Sequence, residues 1–146
     1  MKYVLMDAHH IQQVAELERQ CFSDPWSLQS IQSELTNPLS LWIVALFGDQ
    51  VVGYVGSQTV LDEADMMNLA VSSDFRRRGI GEALIRELVE NLKAKGARSL
   101  TLEVRASNDS AISLYDKMGF IQVGRRPGYY RNPKEDACIL RKEWEA

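Results

Sequence analysis

Two hydrophobic periods meet in the middle of the chain. Over residues 79–95 apolar side chains recur at Ile80, Leu84, Leu88 and Leu92, with Ala83, Ile85 and Val89 widening the stripe. That four-residue recurrence is one face of a helix. Gly96 suits the left-handed residue after a helix end, and Lys93 and Lys95 suit the negative end of its dipole. Over 98–104 the period drops to two. Leu100, Leu102 and Val104 share one face of a strand, and Thr101, Glu103 and Arg105 the other. Upstream, 3–6 reads as a short strand. Asp7 is placed to cap a helix over 8–22 with Ile11, Val14, Leu17 and Cys21 inward. Ser27 is placed to cap a second helix carrying Leu28, Ile31 and Leu35, which Asn37-Pro38 stops. Strands over 41–47 and 51–60 flank Gly48-Asp49-Gln50 as a hairpin, and 66–72 follows after a turn at 61–65. Asn108 or Asp109 opens a helix over 109–118 that Gly119 ends, and 120–124 and 137–141 are the last strands. Residues 125–133, rich in arginine and tyrosine, read as irregular.

The order is β-α-α-β-β-β-α-β-α-β-β. The 79–95 helix is then a right-handed crossover between parallel neighbours, 66–72 and 98–104. The expected fold is α/β, a mixed sheet of about six to seven strands with helices on both faces, formed by one domain over 1–146.

The strand-to-helix junction, Asp74-Phe-Arg76-Arg77-Arg78-Gly79-Ile80-Gly81, has the physics of an anion site. The first N–H groups of a helix lack partners and carry about half a positive charge. Gly79 and Gly81 leave the backbone bare, and Arg76, Arg77 and Arg78 add charge. The alternative is a solvated basic turn. Neither the P-loop nor the dinucleotide spacing is present.

Composition narrows the class. At 146 residues, 45% hydrophobic and 25% charged, the chain has the balance of a soluble globular domain. A net charge of −3 argues against general nucleic-acid binding. The N-terminal residues lack the apolar length of a signal peptide, and no run spans a bilayer, so a cytoplasmic protein is expected. Cys21 and Cys138 lack metal-ligand spacing, and His9 and His10 point about 100° apart on a helix, so no metal is expected.

Three residues on or beside the 98–104 strand could carry chemistry. Glu103 is either a half-exposed strand carboxylate or a general base with a pKa raised by partial burial. Tyr115 is either a core residue or a hydroxyl able to give a proton. Asn108 either caps its helix or binds a ligand. No nucleophile has an evident base, which favours direct transfer over a covalent enzyme intermediate.

Arg76-x-x-Gly79-x-Gly81 after a strand, with Leu-Glu-Val-Arg-Ala-Ser-Asn at 102–108 and Ala-Ile-Ser-Leu-Tyr-Asp-Lys-Met-Gly-Phe at 111–120, resembles the GNAT acetyltransferases. Asp24-Pro25-Trp26-Ser27, Leu61-Asp62-Glu63-Ala64, Asn68 to Val71, Tyr129-Tyr130 and Glu135-Asp136-Ala137 bring it closest to the RimI-type ribosomal-protein alanine N-acetyltransferases. Gly128 departs from the polar residue expected before the tyrosine pair. The resemblance implies acetyl-CoA as cosubstrate, lying against Leu69, Ala70 and Val71, the start of the helix at Arg76, Arg77, Arg78, Gly79, Ile80, Gly81 and Glu82, and Asn108 and Tyr115. It implies Glu103 as proton acceptor and Tyr115 as proton donor. The implied acceptor is the N-terminal alanine of a small-subunit ribosomal protein; a small amine, another protein N-terminus or a lysine is the alternative. A basic acceptor would want an acidic groove, for which Asp62, Glu63, Asp65, Glu135 and Asp136 stand as candidates against the bland reading of solvated turn charges. The expected assembly is a monomer or weak homo-oligomer.

Overall fold

A computed structural model describes residues 1–145. Its strands are β1 (Lys2–Leu5), β2 (Ser40–Phe47), β3 (Gln50–Val60), β4 (Glu63–Val71), β5 (Ser99–Arg105), β6 (Ile121–Tyr130) and β7 (Glu135–Glu143). Its α-helices are α1 (Ile11–Cys21), α2 (Leu28–Glu34), α3 (Ile80–Ala94) and α4 (Asp109–Lys117), with a short 3-10 turn at Ser73–Phe75. The strands form one mixed sheet in the order β1-β2-β3-β4-β5-β7-β6. Among the described residues its one parallel pair is β4 with β5, joined by α3 as the periodicity predicts.

The helices divide between the two faces. Leu84, Ile85, Leu88 and Leu92 of α3 are buried against Ile43, Val55, Leu100 and Leu102, and Tyr115 of α4 joins the same core. On the other face Val14 and Leu17 of α1 and Ile31 of α2 pack on Trp42, Val44, Tyr54 and Ala70. Each buried aliphatic side chain stabilises the fold by about 1.5–3 kcal/mol. The caps are where the sequence puts them at α2 and α4. Ser27 accepts the N–H of Ser30 at 3.1 Å, and Asn108 accepts that of Ala111 at 3.2 Å.

Three boundaries differ from expectation. Helix α1 starts at Ile11 rather than residue 8, because Asp7 accepts the N–H of His9 at 2.8 Å and closes a turn instead of capping the helix. Strand β4 starts at Glu63, so the turn before it is shorter than 61–65. Most of 125–133 is ordered: β6 runs on to Tyr130 and pairs with β7, with register shifts between Gln122 and Gly124 and between Arg126 and Tyr130. Pro127 is tolerated there because β6 is an edge strand.

Candidate active site

Strands β4 and β5 pair only over Glu63–Asp65 and Ser99–Thr101, then part. The register of β4 against β3 shifts in the same region. Gly56 pairs with Asn68 and Ser57 with Met66, so Met67 is the extra residue of a β-bulge. Beyond the bulge the phase is set. Ser72 donates its N–H to Val52 at 2.8 Å. By strand alternation Ala70 also faces β3, whereas the N–H groups of Leu69 and Val71 face away from it into the gap. A cleft lined by unpaired amides therefore opens in the middle of the sheet.

The anion loop closes one end of this cleft. Arg77 and Gly79 both take positive φ, +64° and +77°. The first helical acceptor used is the Gly79 carbonyl, bonded to the Ala83 N–H at 3.0 Å. Among the described residues, the N–H groups of Arg77 to Glu82 have no acceptor, which makes a concave run of donors at the start of α3. No atom lies within 4 Å of where a Cβ on Gly79 would sit, and on Gly81 it would touch only Val71, at 3.9 Å. The arginines differ in role. Arg76 bends back, its Nε 3.2 Å from the Val71 carbonyl, and Arg78 lies over the Phe75 ring at 5.0 Å. Glu82 turns its carboxylate to Lys117 at 3.1 Å, tying α3 to α4; that lysine holds the carboxyl below its usual range. Asn108 caps α4 through its oxygen, and among the described residues its amide nitrogen has no acceptor.

Glu103 and Tyr115 lie on opposite faces of the sheet. Glu103 alternates with the buried Leu102 and Val104, so it sits on the α1 side; its side chain is 25% exposed and lies 3.6 Å from Arg126. Tyr115 rises from α4 on the other side, 6% exposed, its ring edge-on to Phe120. Burial, then the neighbouring Tyr130, push its phenol up to about 12. Tyr130 neighbours both. Its own phenol is pushed up to about 12 by burial, then by Tyr129 and Glu103, and Arg105 covers its ring at 4.5 Å. A neutral phenol on one side and a carboxylate on the other can give and take a proton across a substrate held in the gap.

The acidic candidates separate. Glu135 accepts the Ser107 N–H at 2.6 Å and Arg105 at 3.3 Å, and Asp136 accepts the Gly128 N–H and Arg125, both at 2.9 Å. These bonds hold both carboxyls below their usual ranges and commit them to the β6–β7 hairpin and the loop before α4. Asp62 pairs with Arg98, and Glu63 with Arg141. Asp65 pairs with Thr101 across the strands, so it shares the face of Glu103; burial, then Glu63, raise its pKa.

The family model described as the Acetyltransferase (GNAT) family matches residues 11–120. The chain belongs to that family. The cosubstrate of the family is acetyl-CoA, a phosphate-bearing molecule. This GNAT chain is similar to the ribosomal protein bS18-alanine N-acetyltransferase of Salmonella typhimurium, 38% identical over 128 residues, 86% of this chain and 85% of that protein. The enzyme of the same name from Escherichia coli K12 is 36% identical over 135 residues, covering 91% and 86%. The crystal structure of the ribosomal-protein-S18-alanine N-acetyltransferase from Escherichia coli matches with a TM-score of 0.91 at 31% identity, over 99% of this chain and 94% of that one.

In this acetyltransferase the sequence missed Arg126 beside Glu103 and Tyr130 as a neighbour of both the acid and the base candidate. The Arg-Arg-Pro-Gly-Tyr-Tyr run at 125–130 signals basic and aromatic character, but only its pairing with β7 brings it beside Glu103. Among the described residues no helix is long and apolar enough to cross a membrane.

Proposed function

We propose that the chain, acting as one domain over 1–146, moves the acetyl group of acetyl-CoA to the α-amino group of the N-terminal alanine of ribosomal protein bS18. The observation that carries the acceptor is the likeness to proteins of that name over most of both lengths. The geometry supports the chemistry. The diphosphate rests on the Arg77–Glu82 amides and the pantetheine arm runs between β4 and β5. An α-amino group has a pKa near 7.7–8, so a mild base frees its lone pair. Glu103 takes that proton, directly or through water. The nitrogen attacks the thioester carbon, and the N–H of Leu69 or Val71 holds the developing oxyanion. The C–S bond breaks as the C–N bond forms, the Tyr115 hydroxyl protonates the departing thiolate, and the second proton shed by the new amide nitrogen returns through water to the phenolate. Its high pKa keeps that hydroxyl protonated at neutral pH. Positioning two substrates in one cleft supplies the largest share of the acceleration. The acceptor is a cytoplasmic protein, and we place the enzyme there as a monomer or weak homo-oligomer that binds neither nucleic acid nor membrane.

A synthetic peptide bearing the bS18 N-terminus, incubated with acetyl-CoA, should gain one acetyl group on its α-nitrogen by mass spectrometry. No mass gain, or a gain only on a lysine or on a polyamine offered beside it, removes this acceptor.

A further inference from the structure

Two carboxylates are buried on the α1 face of the sheet, Glu18 at 0% and Glu34 at 7% exposure. Burying a carboxylate is costly unless donors satisfy it, and an apolar side chain of similar volume would serve a core better. Among the described residues no cation lies within ion-pair distance of Glu18. Its donors come from three separate parts of the fold. The Tyr54 hydroxyl donates from β3, the Asn68 amide from β4, and the Trp26 N–H, at 3.0 Å, from the loop between α1 and α2.

The decisive partner is Asn68. It is the first residue after the bulge at Met67 and stands directly before the amides that face the cleft. A strand has a side-chain and amide period of two, so loss of the bulge would shift residues 68–71 by one place against β3, turn the N–H groups of Leu69 and Val71 toward β3 and present Ala70 to the gap instead. Backbone pairing with β3 alone does not forbid that loss, since an unbulged ladder keeps its hydrogen bonds. A side chain anchored to a buried carboxylate does.

We propose that Glu18 is a positioning residue for acetyl transfer. By holding Asn68 it fixes the bulge phase that aims the Leu69 and Val71 N–H groups at the thioester, and by holding Trp26 it sets the α1–α2 loop in the same frame. This rests on the reading that those amides hold acetyl-CoA. Glu34 is the internal control. It is also a buried carboxylate, but it receives Trp42 at 3.1 Å and Gln58 at 2.9 Å and holds nothing in β4.

The test is acetyl-CoA titration calorimetry and transfer kinetics on wild type, Glu18→Gln, Asn68→Ala and their double variant, with Glu34→Gln alongside. Glu18→Gln and Asn68→Ala should each lower kcat/KM for acetyl-CoA by about tenfold to a hundredfold while the protein stays folded at the assay temperature. The double variant should lose no more than the worse single, because both changes break one link. Glu34→Gln should lower the melting temperature and leave kcat/KM unchanged. Asn68 is only partly buried, so its alanine variant reads the link even where Glu18→Gln folds poorly. Wild-type kinetics in Asn68→Ala, additive losses in the double variant, or an equal kinetic loss in Glu34→Gln would each overturn the inference. Failure of wild type to bind acetyl-CoA would sink the reading of the cleft and this inference with it, whereas undiminished binding and turnover in Glu18→Gln sink this inference alone.

Discussion

Gly56→Ala is a one-methyl change in a strand interior, yet it should be among the most damaging single substitutions in this protein. A Cβ on Gly56 would lie 2.3 Å from Trp42 Cε2 and 2.5 Å from both Cδ2 and Cζ2, flat against the fused ring bond. To restore ordinary contact the indole must retreat by about 1 Å. It has no free direction. Trp42 is buried, edge-packed by Trp26 at 5.5 Å and stacked on Tyr54 at 5.8 Å, and its Nε1 donates to Glu34 at 3.1 Å. Overpacking of this kind costs about 1–3 kcal/mol, and a lost hydrogen bond to a buried carboxylate adds roughly 1.5–3 kcal/mol. A total of about 3–5 kcal/mol lowers Tm by roughly 10–15 °C in a domain of this size. Calorimetric melts of Gly56→Ala, Trp42→Leu and the double variant provide the assay. Trp42→Leu alone should cost about 2–5 kcal/mol, and the pair should cost at least about 1.5 kcal/mol less than the sum, because the smaller side chain makes room for the methyl. A Gly56→Ala protein melting within about 2 °C of wild type, or strict additivity in the cycle, refutes the reasoning.

The chemical groups yield further expectations. Glu103→Gln should lower kcat/KM about 10²–10⁴-fold at neutral pH, with partial recovery as rising pH deprotonates the amine unaided; a deficit that stays flat with pH contradicts the base role. Tyr115→Phe should slow turnover by about a hundredfold with acetyl-CoA affinity little changed, and a large loss of affinity would mark Tyr115 as a binding group instead. With its phenol pushed up to about 12, the stability held by neutral Tyr115 is complete below its ordinary pKa of 10 and lost as pH climbs through 12; alkaline melts of wild type and Tyr115→Phe should converge over that interval. Glu135 runs the other way. Hydrogen bonding from Ser107, and then Arg105, depresses its pKa below 4.5, so its stabilising effect is present above that pH and lost as pH falls through the lower folded value. The Tm gap between wild type and Glu135→Gln should therefore close in acid, and a gap that persists under acid conditions excludes this origin.

Much of the scaffold was legible because it is local. The α3 stripe, the β5 alternation, Ser27 and Asn108 as caps and Gly96 after α3 all express relations within a few residues, and each stands where the periodicity put it. One error came where a local signal met a distant partner. Residues 125–130 contain Pro127 and Gly128 and no clean alternation, so nothing local marks a strand; the ladder to β7 makes one. Asp7 had the composition of a helix cap and closed a turn instead. Asn108 caps α4, and capping uses only its oxygen.

By itself the sequence determined which residues could do chemistry. A bare, basic helix start, one carboxylate on the polar face of a strand and one tyrosine on the following helix follow from residue type and period, and the resemblance assigns them to acetyl transfer. What tertiary structure decided is how they meet. The parting of β4 from β5, the bulge at Met67, the Glu18–Asn68 link spanning fifty positions and the Gly56 space filled by Trp42 depend on pairs far apart in the chain. The physical reason is that side-chain period and capping are set by neighbours within a turn or two. Register and burial are set by whichever strand or helix the completed core brings alongside.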